Sequence, residues 1–160
     1  MNRSHALMTA AALSVATLCF NASAFAQSAL TGTWTLVSIK AGASEPYGPA
    51  PRGRLFLEPN GQFAVTIVRE GLAKIASDNR TTGTDAENKA VVQGSLAYFG
   101  TYSVNDKDQS IDMNIAASTY PNFDGQKQGR RYVLAGDELT ITNPAASGGG
   151  AAVQVWKRVK

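Results

Sequence analysis

From Thr31 onward the chain alternates apolar and polar residues in short runs broken by turn residues, a period of two that belongs to extended strands half buried on one face. Eight runs can be marked off: Thr31 to Lys40, Arg54 to Glu58, Gln62 to Glu70, Leu96 to Val104, Ser110 to Thr119, Arg130 to Ala135, Glu138 to Asn143 and Ala152 to Val159. Pro59-Asn60-Gly61 parts the second from the third, and an Asn-Gly pair accepts the positive φ of a tight hairpin. Asn105 to Asp108 turns between the fourth and fifth, and Gly136-Asp137 between the sixth and seventh. Longer loops run over Ala41 to Pro51, Tyr120 to Gly129 and Pro144 to Gly150.

One stretch departs from this rhythm. Between the third and fourth runs, Thr84-Asp85-Ala86-Glu87 has the form of a capping box, in which Thr84 accepts from the Glu87 amide while Glu87 reaches back. Asp85 and Lys89 are placed for an i,i+4 pair, Ala86, Ala90 and Val91 for one apolar face, and Gly94 for a stop. A helix over Asp85 to Gln93 is expected, either as a plug for one end of the fold or as a plain surface crossing.

The fold class predicted is all-β: an eight-stranded antiparallel up-and-down barrel with one short helical crossing between strands three and four. Closure removes the exposed strand edges that invite aggregation. A two-sheet sandwich of the same strand count is the alternative. A barrel of this size is either filled by side chains or holds one small ligand, and the functional question turns on which.

Composition narrows the chemistry. Residues 1 to 26 have the form of a secretory leader, with Arg3 in the n-region, an apolar run from Ala6 to Phe20 and an Ala24-Phe25-Ala26 cleavage site. An exported product, periplasmic or extracellular, is expected, with residues 27 to 160 as one domain. His5 and Cys19, the only residues of their kinds, both fall in the leader. The remainder therefore has no Ser-His-Asp or Cys-His pair, no disulfide and no zinc site of Cys or His. Thr17-Leu18 before Cys19 is not the small residue that a lipid-modified cysteine wants. No other apolar run is long enough to span a bilayer. Removing the leader takes away Arg3 alone and leaves fourteen basic residues against twelve acidic ones. The only basic block is Lys157-Arg158-Val159-Lys160, too little for a nucleic-acid footprint. Asp106 to Ser110 begins like a calcium loop but has Ile111 and Ala117 where glycine and glutamate are required. Gly148-Gly149-Gly150 lacks the lysine and helix of a phosphate loop. No catalytic residue, metal or cofactor is assigned.

Gly32-Thr33-Trp34 resembles the G-x-W signature of lipocalins, with Arg158 near the last strand placed to pack over the indole. More broadly the chain resembles the bacterial lipocalin-like domain family. The likeness rests on Leu30 to Ser38, Tyr47-Gly48 with Pro51 and Gly53, Pro59-Asn60-Gly61, Tyr98 to Tyr102, Tyr120 to Phe123 with Gly125, Arg131 to Leu134 and Gly136 to Leu139. The resemblance implies a calycin-type barrel. Two positions depart from the pattern: relatives often carry histidine where this chain has Met113-Asn114, and an aromatic hydroxyl where it has Leu57. Both differences remove titratable groups.

The structural signature is thus Gly32, Trp34 and Arg158, with Trp34 closing one end. The ligand-binding candidates are Leu57, Phe63, Val65, Tyr98, Tyr102, Asn114, Ser118, Arg130 and Tyr132. Tyr98 and Tyr102 share the more apolar face of the fourth run, and Leu55, Leu57, Phe63, Val65 and Ile67 supply apolar lining. Arg130 stands on one face with Tyr132 and Leu134; pointing inward it needs a partner, which a ligand carboxylate can provide, whereas a place at the rim avoids that cost. For the fifth run, alternation turns Ile111, Met113, Ile115 and Ala117 inward, while the family likeness turns Asn114 and Ser118 inward; a one-residue slip exchanges the two sets. The expected partner is a small apolar or amphipathic molecule bound without chemistry. The alternatives are a cofactor-independent isomerase, cyclase or hydrolase inside the barrel, and a packed structural envelope protein.

Overall fold

The computed structural model describes Gln27 and residues 29–160; the expected leader, residues 1 to 26 with His5 and Cys19, lies outside the described residues. The alternating runs become β1 (Gly32–Lys40), β2 (Arg52–Leu57), β3 (Gln62–Val68), β4 (Ser95–Asn105), β5 (Ser110–Ser118), β6 (Lys127–Ala135), β7 (Glu138–Asn143) and β8 (Ala152–Arg158). Helix α1 (Asp85–Gly94) lies between β3 and β4, and a 3-10 turn (Pro121–Phe123) between β5 and β6. Every strand pairs antiparallel with its sequence neighbours, and β8 returns to β1, so the barrel is closed. That last ladder excludes the sandwich. β2 and β6 begin earlier than the pattern marks, at Arg52 and Lys127, because Gly53 and Gly129 interrupt the apolar alternation that delimits them.

Inward positions carry the large apolar side chains. Trp34, Leu55, Leu57, Ile67, Ile111, Met113, Leu139, Ile141 and Trp156 are almost wholly buried, and burying each such group contributes about 1.5–3 kcal/mol. In two strands the alternation changes phase part-way. In β1, Val37 has no partner between the Leu36↔Trp156 and Ser38↔Val155 pairs, so the buried set runs Trp34, Leu36 and then Ile39. In β5, Ala116 is the unpaired residue between Gly100↔Ile115 and Phe99↔Ala117. A β-bulge of this kind lets two residues oppose one. Gly100 permits it, because a Cβ there would collide with the Asn114 carbonyl oxygen.

This bulge resolves the two readings of the fifth run, each of which holds on one side of it. Below it, Ile111, Met113 and Ile115 are buried and Asn114 is exposed. Above it, Ser118 pairs with inward-facing Tyr98, while Ala117 pairs with outward-facing Phe99. The inward placement of Asn114 and that of Ala117 are therefore both corrected.

The connections sort by length between the two ends of the barrel. Tight turns β2–β3, β4–β5 and β6–β7 gather at one end, where Gly61 and Gly136 take positive φ. The four longer connections, including the segment that holds α1, gather at the other. The short-turn end is sealed. Leu30 is fully buried there, Trp34 donates through Nε1 to the Leu30 carbonyl at 3.0 Å, and Arg158 lies over the indole at 4.0 Å. Arg158 also donates to the Thr31 and Ala29 carbonyls at 2.7 and 2.6 Å. Gly32 is required at this point: its φ is +134°, and an added Cβ would lie 3.0 Å from Arg158 Nη1.

At the other end α1 has the expected capping box, with the Glu87 amide donating to Thr84 Oγ1 at 3.3 Å and the Thr84 amide to Glu87 Oε2 at 2.8 Å. The Ala76 amide donates to Glu87 as well, and together these bonds hold the Glu87 carboxyl below its ordinary value. Asp85 and Lys89 do not form the expected ion pair; both are exposed, where such a pair gains little.

Candidate functional site

The barrel is not filled to the long-loop end. A cavity of about 650 Å³ opens there, within the range of small-molecule sites. Its walls are strand residues, among them Ile39, Ile67 and Leu96. Its rim takes Tyr47 from the β1–β2 loop, Ala146 from the β7–β8 loop, and Val91, Val92 and Gln93 from α1. The helix therefore borders the mouth without plugging it: of its residues only Gly94 is buried, and Val92 is 75% exposed.

Aromatic rings climb one wall. Phe63 meets Tyr98 edge to face at 5.9 Å, Tyr98 meets Phe123 at 6.1 Å, and Phe123 meets Tyr120 at 5.1 Å. Edge-to-face contacts of this kind are favourable, and they fix the Tyr98 ring between the packed core and the mouth. The Tyr47 hydroxyl, also in the lining, is pushed up from its ordinary value by burial.

Facing the apolar lining is a polar strip on β6, β7 and β8. Arg130 is only 2% exposed, so the rim placement is corrected: the alternation that turns Tyr132 inward carries Arg130 inward too. Its Nη1 donates to the Tyr98 hydroxyl at 2.7 Å and its Nη2 to Gln128 Oε1 at 2.7 Å, with the guanidinium 5.2 Å from the Tyr98 ring centre. Its Nε is buried and has no hydrogen-bond partner among the described residues. Asn143 and Gln154, both buried, also line the cavity. Among the described residues, no Asp or Glu does.

Of the predicted binding residues, Tyr98 and Arg130 line the cavity. Phe63 and Val65 lie just beneath, Val65 opposite Tyr98 in the ladder. Three others belong to the sealed end. Leu57 pairs with Gly32, Tyr102 donates to the Glu58 carbonyl at 3.0 Å, and Tyr132 donates to Asp106 Oδ1 at 3.4 Å. Burial raises both of these hydroxyls above their ordinary value, with Glu58 and Asp106 adding to it respectively. Ser118 faces inward, and its Oγ accepts from the Tyr120 amide at 3.0 Å. Asn114 is on the outer face with Nδ2 3.5 Å from Thr101 Oγ1, because the bulge comes after it.

The model of the lipocalin-like domain family matches residues 31–159. The chain belongs to that family. No curated protein matches it. Among solved structures this lipocalin-like domain is similar to Echinococcus granulosus fatty-acid-binding protein 1, at 11% identity over 83% of this chain and 99% of that one, with a TM-score of 0.40. It is also similar to a single-residue mutant of the fluorescent protein UnaG, at 12% identity over 83% and 98%, with a TM-score of 0.38.

Asn143 and Gln154 escaped the sequence reading of this lipocalin-like domain, although a signal was present. Each is the polar member of an inward set, Leu139-Ile141-Asn143 in one strand and Ala152-Gln154-Trp156 in the other. A polar residue on the apolar parity of a strand is the mark to look for. Among the described residues no group of three or more His, Cys, Asp or Glu is placed to hold a metal ion, and no helix is long and apolar enough to cross a membrane.

Proposed function

We propose that this lipocalin-like protein binds a small, largely apolar molecule inside its barrel and carries it without altering it. The observation behind this reading is the cavity of about 650 Å³ at the long-loop end, walled mainly by apolar and aromatic side chains. Ligand sites are commonly concave and mostly apolar with a few placed polar groups. A sealed opposite end makes the cavity a pocket with one entrance. The leader-like residues 1 to 26 support a site of action outside the cytoplasm. Native mass spectrometry of the purified protein, followed by solvent extraction, tests the reading. A co-purifying apolar compound, or a thermal shift with members of a lipid and aromatic panel, is the expected result. A clean apo mass with no shift across the panel overturns it. Mass analysis of the protein recovered from an extracytoplasmic fraction tests export: the N-terminus is expected near Gln27.

A further inference from the structure

The polar strip in the cavity is unusual in that the groups it leaves without any partner are donors. Arg130 has a buried Nε–H with no acceptor and no carboxylate partner among the described residues. The Tyr98 oxygen accepts from Arg130, which leaves the Tyr98 O–H free to donate. Trp156 Nε1, a donor only, occupies Gln154 Oε1 at 3.2 Å, and the Ala145 amide, likewise a donor, occupies Asn143 Oδ1 at 3.1 Å. Each amide therefore turns its NH₂ to the remaining space, where no protein acceptor among the described residues meets it. The strand register gathers these groups: Arg131↔Thr142 puts Arg130 and Asn143 one step further along the β6–β7 ladder, and Gln154 pairs with Ile141 on the same inner face.

A buried guanidinium without an anion is costly, as is a buried donor without an acceptor. Four donor groups around one volume, with two arginines and no carboxylate in the lining, are complementary to negatively charged oxygen. We infer that the ligand is an amphipathic organic anion whose oxyanion head is held by Arg130 and Tyr98, flanked by the Asn143 and Gln154 amides, while its apolar body fills the cavity toward the mouth. The inference rests on the proposed function and specifies its ligand class.

A matched pair of fluorescent probes tests it: 8-anilinonaphthalene-1-sulfonate and N-phenyl-1-naphthylamine share an aromatic body and differ by the sulfonate. The protein is expected to bind the anionic probe about tenfold or more tightly than the neutral one, as a charge-assisted contact implies. Arg130→Met is expected to bring the two affinities together, and Arg131→Met, exposed on the outer face of the same strand and outside the cavity lining, to leave the preference intact. Tyr98→Phe gives a second reading should Arg130→Met misfold, with the preference falling about threefold. Equal affinities in the wild type, a preference that survives both Arg130→Met and Tyr98→Phe, or one abolished by Arg131→Met overturns the anion assignment while the cavity remains a binding site. Failure of both probes to bind, together with a clean apo mass and no shift across the panel, overturns the binding reading itself and the anion assignment with it.

Discussion

Two arginines lie over aromatic rings at opposite ends of the barrel, and their surroundings separate a structural residue from a recognition residue. Arg158 lies over Trp34, donates to two backbone carbonyls and sits 4.0 Å from Asp137. Arg130 lies beside Tyr98, deeper in the protein, with a hydroxyl and a side-chain amide for partners and one N–H unmet. Residue type does not distinguish the two, and although Arg130 is the more deeply buried, it is what the protein leaves unsatisfied that separates their roles. Where the chain sets a carbonyl or a carboxylate against each nitrogen, the side chain closes the fold. Where it does not, the missing partner has to come from outside.

This contrast can be broken most forcefully at the sealed end. Trp34→Ala is expected to cost about 3–5 kcal/mol, read by urea unfolding, because it empties a fully buried site and removes the surface under Arg158. Arg158→Met is expected to cost about 2 kcal/mol in the same experiment, since it strands two carbonyls, and to leave probe binding at the far end unchanged. Thr84→Ala removes the cap of α1 and is expected to cost about 1 kcal/mol, with hydrogen exchange quickening in the helix and not in the sealed end.

Titration sharpens the same comparison with a smaller effect. The Tyr102 hydroxyl in the sealed end is raised by burial above its ordinary value of 10.0, so the folded protein keeps this proton at a pH where the unfolded chain gives it up. Its contribution to stability is complete below about pH 10 and is lost as pH rises through the folded value; Tyr102→Phe is expected to flatten this alkaline decline in urea titrations. The smallest expected change in stability comes from Arg130→Met, within about 1 kcal/mol of the wild type or above it, because an uncompensated buried charge is exchanged for an apolar chain. A loss of several kcal/mol in urea unfolding would make Arg130 a second Arg158 and erase the distinction.

Much of the fold was legible because it depends on local signals. Period two marked the eight strands, Asn60-Gly61 and Gly136-Asp137 marked the tight turns, and Thr84 with Glu87 marked the helix start. The site was less legible, because alternation reports which way a side chain faces and not how far along the barrel axis it sits. Leu57, Tyr102 and Tyr132 face inward as expected, yet they lie with the tight turns. Depth depends on inter-strand register and on bulges, and the bulge at Ala116 becomes visible only when Gly100 and Asn114 are brought together by pairing.

The bulges at Val37 and Ala116 also divide the design problem that this barrel poses. Each lies between a stretch that builds the packed core and a stretch nearer the cavity: Trp34 and Leu36 before Val37 with Ile39 after it, and Met113 and Ile115 before Ala116 with Ser118 after it. Since these two strands restart their phase at the bulge, the upper portion of each is independent in phase of the lower, whereas β4 keeps one alternation from Tyr98 at the cavity to Tyr102 at the sealed end. Modularity along the axis thus belongs to β1 and β5, while the unbroken ladders tie the cavity to the sealed cup beneath it.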